Sequence, residues 1–564
     1  MAQNQGITIL SLIDDLLLTI FSFNTDMTKP GKPDRKGTMT FDDICLTDTN
    51  PDRSNEMAYF LPLAHRTKLQ ALTTTLRTSQ VCHLWRDLLL MSSSVWGRLL
   101  DFDILLYAKD QLWREIYRRA GDGSRLSVQG FNIPYPSKIC DFVFNLIATQ
   151  WARLEWVDVY IKTSVKLSVQ QSPFWSTIAT PALNLRHFSF IFSIPTANPQ
   201  MLTHAAPALR EVCTTPSSPL HLNSPWLRQL TYLSIDGVGE PIVPFTFPAI
   251  LDALSSLLNL ETLRLIYTRF AEGDYSTHRN VQLPNLRKVV FEDYFNTCFA
   301  ALRHISPSQQ CMVEIRTTSP HELPNIQYFR LMEWLEQYLN GRRYNDRLMI
   351  DLQPTYVSFV DAYPDCYPTP TVNIRFSCPA QNNGPDAMSF FSRLSRTKLD
   401  HVKSLWFRLN IPNLYEELGD FLPVSDNFYY GLESLEVLKI SAQGFLLLDM
   451  ASSSIAEDDE RPVPLPHLQR VRMISPSDEH DKYDQDTELG PQFVEQFLDL
   501  FKRRTKRKCP ITHLDVRECA VDLRRLDICK GLKVTWRRAE VRASGEPGEY
   551  ICGSGNRKIL NIED

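Results

Sequence analysis

Cys82 and His83 stand side by side in the stretch SQVCHLWRDLLL, residues 79–90, with Trp85 and Arg86 close behind. A thiolate beside an imidazole could ligate zinc, and a cysteine with a nearby histidine could act as an activated nucleophile. The spacing argues against both. Adjacent residues on a helix point about 100° apart, and no second pair stands nearby at ligand spacing. Activation of Cys82 would need a base or a helix N-terminus, whereas the apolar periodicity puts it inside a helix between Val81 and Trp85. Packing or an interface explains the stretch better than chemistry does.

Other candidate motifs fail in the same way. HEL at His321 runs into Pro324, where a zinc-protease helix and its second histidine are required, and CGSGNRK at Cys552 lacks the spacing of a phosphate-cradling loop. Asp484, Asp486, Glu488 and Glu495 alternate like a calcium loop, but Leu489 occupies the turn-glycine position and Pro491 interrupts the loop. The basic run FKRRTKRK from Phe501 ends a helix striped by Phe493, Phe497 and Phe501. Cations there suit the helix dipole, so the run reads as a solvated terminus or as a nuclear import signal. No catalytic residue, metal ligand or cofactor is expected, and the chain reads as a non-enzyme.

Composition narrows the partners. The chain has 564 residues, 43% hydrophobic and 22% charged, which is ordinary for a folded protein. A net charge of −5 provides no general field for phosphate backbones, so nucleic acid is not expected as a partner. Its 12 cysteines never form C-x-x-C, which suits reduced thiols in cytoplasm or nucleus. Asp14 and Asp15 interrupt the first apolar run, and no run of eighteen apolar residues follows, so neither a secretory signal nor a membrane span is expected.

The elements come next. Residues 9–23, ILSLIDDLLLTIFSF, form an amphipathic helix pattern with Ser11 as N-cap, and a second helical pattern runs from about Ala64 to Met91. Between them lies a polar, turn-rich stretch. Beyond about Arg125 a short phrase, apolar-x-x-apolar-x-apolar, recurs from Leu154, Leu185, Leu230, Leu260, Leu286, Val402, Leu435, Leu468 and Ile511. It is the strand signature of leucine-rich repeats. Prolines such as Pro181, Pro207, Pro225, Pro284, Pro324 and Pro466 precede several of these phrases and can end a helical return. One return is visible as FPAILDALSSLLN, with Leu251, Leu254 and Leu258 on one face.

LIDDLLLTIF from Leu12, VCHLWRDLLL from Val81 and VWGRL from Val95 occur in this order and resemble the F-box, over about 50 residues split across positions 9 to 100. Repeats follow, as in the large fungal sets of F-box proteins. Ile13 stands where the family has proline, and the separation of Phe21 from Val81 is longer than usual; loop entropy grows slowly enough to accommodate it. The resemblance implies docking on a Skp-type adaptor of a cullin-RING ubiquitin ligase, with a target protein held by the repeats. Leu12, Asp15, Leu16, Leu17, Ile20, Phe21, Val81, Cys82, Trp85, Arg86 and Trp96 would form the adaptor-facing surface and the small core beneath it.

The expected architecture is α/β: an all-helical F-box at 7–100 with a polar insertion at about 24–63, and a helical linker at 101–125. An irregular leucine-rich-repeat solenoid of parallel strands follows at 126–541, with acidic loops near 452–464 and 475–490, and then a tail at 542–564. Within each phrase, the residue between the last two apolar positions should face outward: Arg264, Val290, Trp406, Lys439, Arg472 and Asp515. Arg264, Trp406, Arg408, Lys439 and Arg472 are the candidate target-binding residues on that face, exposed Trp and Arg being common hot spots. The competing reading is a leucine-rich-repeat scaffold or recognition protein with no ligase role.

Overall fold

A computed structural model describes residues 14–24, 71–72, 74–105, 110–163, 173–192, 202, 205–214, 224–237, 246–268, 280–305, 307, 311–317, 333–334, 336–340, 346–353, 356–361, 372–377, 387–410, 414–453, 463–474, 491–516, 523–536, 548–555 and 560. Its architecture is mixed α/β. Two compact units divide the chain between Arg287 and Lys288, apart from a short return to the first unit at Arg303.

The first unit opens with α1 (Asp14–Asn24), helical residues 71–72 and 74–78, α2 (His83–Met91) and α3 (Ser93–Trp96). Then come β1 (Leu100–Asp101), α4 (Phe102–Leu105), α5 (Asp110–Ala120), β2 (Leu126–Tyr135), α6 (Lys138–Gln150), β3 (Leu154–Thr163) and α7 (Pro173–Ile178). The unit continues through β4 (His187–Phe192), β5 (Glu211–Thr214), β6 (Tyr232–Asp236), α8 (Phe247–Leu254) and β7 (Thr262–Ile266). Each strand from β1 to β7 pairs in parallel with the next in sequence.

In the second unit, β8 (Lys288–Asp293) is followed by α9 (Phe295–His304), β9 (Met312–Thr317), β10 (Arg347–Leu352), β11 (Tyr356–Val360), β12 (Val372–Ser377) and α10 (Ala387–Leu394). Next come β13 (Ser404–Leu409), α11 (Leu414–Tyr430), β14 (Val437–Ile440), α12 (Ala442–Ser453), β15 (Arg470–Met473) and α13 (Pro491–Lys506). β16 (His513–Asp515), β17 (Lys533–Trp536) and β18 (Gly548–Ile551) complete it. β8 pairs in parallel with β9, and β13 through β17 pair in parallel in chain order.

All nine phrases are strands or strand ends, and each apolar position is buried. The leading residues Leu154, Leu185, Leu230, Leu260, Leu286, Val402, Leu435, Leu468 and Ile511 have 2% exposure or less. The next two apolar positions, such as Leu405 and Phe407 or Leu438 and Ile440, are equally enclosed. In four of the first unit's five phrases an amide side chain stands just before the leading leucine and donates to a carbonyl of the preceding stretch. Asn184 reaches Ala152 O at 2.7 Å, Gln229 reaches Ala206 O at 2.6 Å, Asn259 reaches Arg228 O at 3.1 Å and Asn285 reaches Leu258 O at 2.8 Å. These amides satisfy carbonyls that strand pairing leaves over.

Several expectations need correction. The strands are not all parallel: β12 pairs in parallel with β9 and antiparallel with β11, β11 is antiparallel to β10, and β10 is parallel to β13. The few residues between β10 and β11 are too short for a crossover helix, so the chain reverses beside itself. Within the tail at 542–564, to which the sequence assigned no element, β18 lies antiparallel on β17. Asp527 fastens it, accepting from Tyr550 Oη at 2.8 Å and from the Gly553 amide at 2.7 Å. Strand pairing begins at β1, across the expected boundary between the all-helical F-box at 7–100 and the helical linker at 101–125.

The helix expected over Ala64–Met91 is interrupted. Ser79 Oγ bonds Leu76 O at 2.7 Å, and a turn runs through residues 79–81 before α2 starts. Cys82, with φ −155°, is therefore the N-cap residue of α2 rather than a mid-helix residue. In the FPAILDALSSLLN segment, α8 ends at Leu254; Leu257 is buried and Leu258 is exposed.

Candidate functional site

The first helix carries two adjacent apolar stripes, one buried and one exposed. On α1, Leu17 and Phe21 are 0% and 3% exposed, while Leu16 and Ile20, one position before each, are 47% and 37% exposed. This follows from the helical period: i and i+4 share a stripe, and two such stripes run side by side. Phe21 meets Trp85 of α2 edge-to-face at 5.3 Å, so the inward stripe of α1 has its partner within the unit. Twelve large apolar side chains are exposed among the described residues, and seven of them lie between Leu16 and Met91: Leu16, Ile20, Leu76, Val81, Leu84, Leu90 and Met91. Their concentration in this part of the chain makes it the candidate interaction region.

The remaining candidates near this surface have distinct places. Trp96 is 1% exposed and belongs to the core; its Nε1 donates to Leu89 O at 2.6 Å, and the Arg119 guanidinium lies 4.7 Å from its ring centre. Trp85 is half-buried, and its Nε1 has no hydrogen-bond partner. Arg86 Nε donates to Ser79 O at 3.1 Å, holding the turn before α2. Cys82 is half-buried. Leu12 lies outside the described residues, and Asp15 lies on α1 with its side chain outside them.

The helices are joined to the strands at Gly97. Its carbonyl accepts from the Ser127 amide at 2.8 Å, and a Cβ there would stand 2.4 Å from Arg125 O. Arg153 secures the turn before β2, with Nε to Ser124 O at 2.9 Å and Nη2 to Gly121 O at 2.5 Å.

The candidate target-binding residues divide between the two units. Arg264 belongs to the first unit and is not fully exposed. It sits beside Tyr232, whose hydroxyl is pushed up to about 12 chiefly by burial, and near Cys213, whose thiol is likewise raised to about 12. Such a thiol stays protonated and inert. On the same sheet face, the His187 ring stacks on Trp156 at 3.8 Å and its Nδ1 lies 2.9 Å from Glu211 Oε2.

Trp406, Arg408, Lys439 and Arg472 share one face of the second unit. Strand register aligns Met349, Trp406, Lys439, Arg472, Asp515 and Thr535 in one row. Lys439 Nζ lies 5.0 Å from the Trp406 ring centre, a cation–π contact. Arg408 lies 3.9 Å from Asp351. Two positions expected to face outward are enclosed: Val290 is 4% exposed and Asp515 is 0% exposed. Asp515 is buried because it is the carboxylate under two guanidiniums, 3.2 Å from Arg470 Nη2 and 3.9 Å from Arg472 Nε.

Sequence reasoning missed Arg470, His513 and Lys533, which occupy the adjacent row on that face. The usable signal was the two-residue strand period, since each stands two positions before a residue of the first row. His513 is held below its ordinary range by burial first and then by Arg470.

The basic run on α13 is partly internal. Arg504 is 2% exposed and donates to Pro464 O at 2.8 Å and Leu465 O at 2.7 Å, while Arg503 pairs with Asp449 of α12.

Among the described residues no group of three or more His, Cys, Asp or Glu is placed to hold a metal ion, and no helix is long and apolar enough to cross a membrane. No protein-family model matches the chain, and no curated protein matches it.

Proposed function

We propose that the chain is the target-recognition subunit of a Skp–cullin–F-box type ubiquitin ligase. Its N-terminal helices dock on the adaptor, and the strand faces of its irregular leucine-rich repeats bind a target protein. The chain performs no chemistry itself; it tethers the target near a ubiquitin-loaded enzyme and so raises its local concentration.

One observation carries the reading: Leu16 and Ile20 are left outward on α1 while Leu17 and Phe21 satisfy the unit's own core. The order of the F-box-like pieces and the repeated strand phrases behind them agree with it.

The test is capture of the full chain by a purified Skp-type adaptor. Completing the burial of half-exposed Leu16, Ile20 and Leu84 is worth about 1 kcal/mol each at roughly 25 cal/mol per Å². Losing about 2 kcal/mol, the double variant Leu16→Asp, Ile20→Asp should bind at least about thirtyfold more weakly. Its melting temperature should stay close to wild type, because neither side chain belongs to the core. A wild-type chain that ignores the adaptor, or a double variant that still binds normally, would overturn the ligase role. It would leave a leucine-rich-repeat recognition protein.

A further inference from the structure

The N-terminal helices cannot stand on their own propensity. α1, α2 and α3 are 11, 9 and 4 residues long, below the ~12–15 residues at which an isolated helix begins to persist in water. Their stability has to come from packing, and the packing leads straight to the strands. Phe21 of α1 closes on Trp85 of α2, and the Leu89 carbonyl of α2 accepts the indole N–H of Trp96, the last residue of α3. The Trp96 ring also meets the Arg119 guanidinium of α5. One residue further on, the Gly97 carbonyl takes the Ser127 amide of β2, and a Cβ on Gly97 would stand 2.9 Å from Ser124 Oγ in the turn before that strand. Leu99 and Leu100 follow, both fully buried, and Leu100 is already paired with Val128. No linker separates Trp96 from β1. Arg153, next to β3, closes the frame: it clamps the same turn through Ser124 O and Gly121 O, and a Cβ on Gly121 would lie against Ser93 of α3.

We infer that α1 to α3 are not a separable module: they fold and open as one cooperative unit with β1 to β3, so the surface carrying Leu16 and Ile20 is displayed only by a chain whose first strands are folded. As a gate on adaptor docking this rests on the ligase reading; the coupling itself does not. Its consequence runs in both directions. An adaptor that meets Leu16 and Ile20 selects chains whose sheet is intact at this end. A partner that binds only the folded unit also stabilises everything that opens with it, so docking on α1 strengthens β1 to β3 by mass action.

Native-state hydrogen exchange of the full chain, read by mass spectrometry on peptides covering α2 and β2, tests the coupling. Val157→Ala removes buried methyl groups from β3, and Leu89→Ala removes them from α2. Each should speed exchange in both peptides by the same factor, at least about tenfold. Asp87→Ala, on the exposed side of α2, should leave both within twofold. Melting curves confirm that each variant is folded, and Arg153→Met, which leaves the core packing alone, makes the same comparison if a core variant does not fold.

If Val157→Ala speeds only the β2 peptide, or Leu89→Ala only the α2 peptide, the helices open on their own and the inference is overturned. Purified Skp-type adaptor is then added to the wild-type chain. Protection should rise in β2 as much as in α2, and protection confined to α2 would also overturn the inference. A chain that captures adaptor but shows unequal acceleration refutes the coupling alone. Equal acceleration without adaptor capture refutes only the ligase role.

Discussion

Arg504 offers a direct test of how the second unit is held together, because it lies in the middle of a run that looks like solvated charge. Its guanidinium forks onto the carbonyls of Pro464 and Leu465 at 2.8 and 2.7 Å, inside the protein. Hydrogen bonds from a cationic donor contribute roughly 1.5–3 kcal/mol each, so about 3–6 kcal/mol together. Against this, burial lowers the pKa of Arg504 to about 10, so holding the charged form costs on the order of 3 kcal/mol. Arg504→Met keeps the length, loses both bonds and relieves the buried cation. The balance is a destabilisation of about 2 kcal/mol. Arg504→Lys should be at least as damaging, since it keeps the charge without the planar fork. Lys502→Met, on the exposed side of α13, should stay within about 0.5 kcal/mol. Urea unfolding followed by tryptophan fluorescence reads all three as midpoint shifts at constant slope. If Arg504→Met matches Lys502→Met, or stabilises the unit, the fork is not what joins α13 to the segment before β15.

Further outcomes follow from the geometry. Gly97→Ala should cost about 2 kcal/mol by overpacking, read in the thermal midpoint, because a Cβ at 2.4 Å from Arg125 O forces backbone to move. Trp96→Phe should cost about 1–2 kcal/mol, since it removes the Nε1 bond to Leu89 O and part of a fully buried ring. The folded-state pKa of His513 lies below its unfolded value, so the unfolded chain binds the proton better. Its contribution is fully present above about pH 6.5 and is lost as pH falls through that value; His513→Gln should flatten this part of the stability–pH curve.

The strand phrases were readable from the sequence because burial on one face enforces a two-residue alternation that neither loop length nor composition disturbs. LETLRLIY from Leu260 and VKSLWFRL from Val402 bury the three apolar positions their pattern marks. The three strands β10, β11 and β12 were not readable: RLMIDL and YVSFV carry apolar runs, but nothing local states which neighbour each will choose. The break before α2 was hidden for a related reason, since Ser79 and Arg86 end the helix through side-chain bonds invisible to a count of apolar spacing. On the candidate surface, alternation identified Trp406, Lys439 and Arg472 as sharing one face. It could not show that Asp515 would be drawn beneath two arginines, because that depends on charges arriving from two different strands.

The amide rungs of the first unit measure across the sheet rather than along the chain. Asn184, Gln229, Asn259 and Asn285 reach back 32, 23, 31 and 27 residues, yet each makes the same kind of bond. Segments between rungs can therefore lengthen or shorten by insertion and deletion without disturbing the registration of the strands. A gene built on this plan can vary its loops freely while keeping its frame, and the uneven spacing of its phrases is the trace of that freedom.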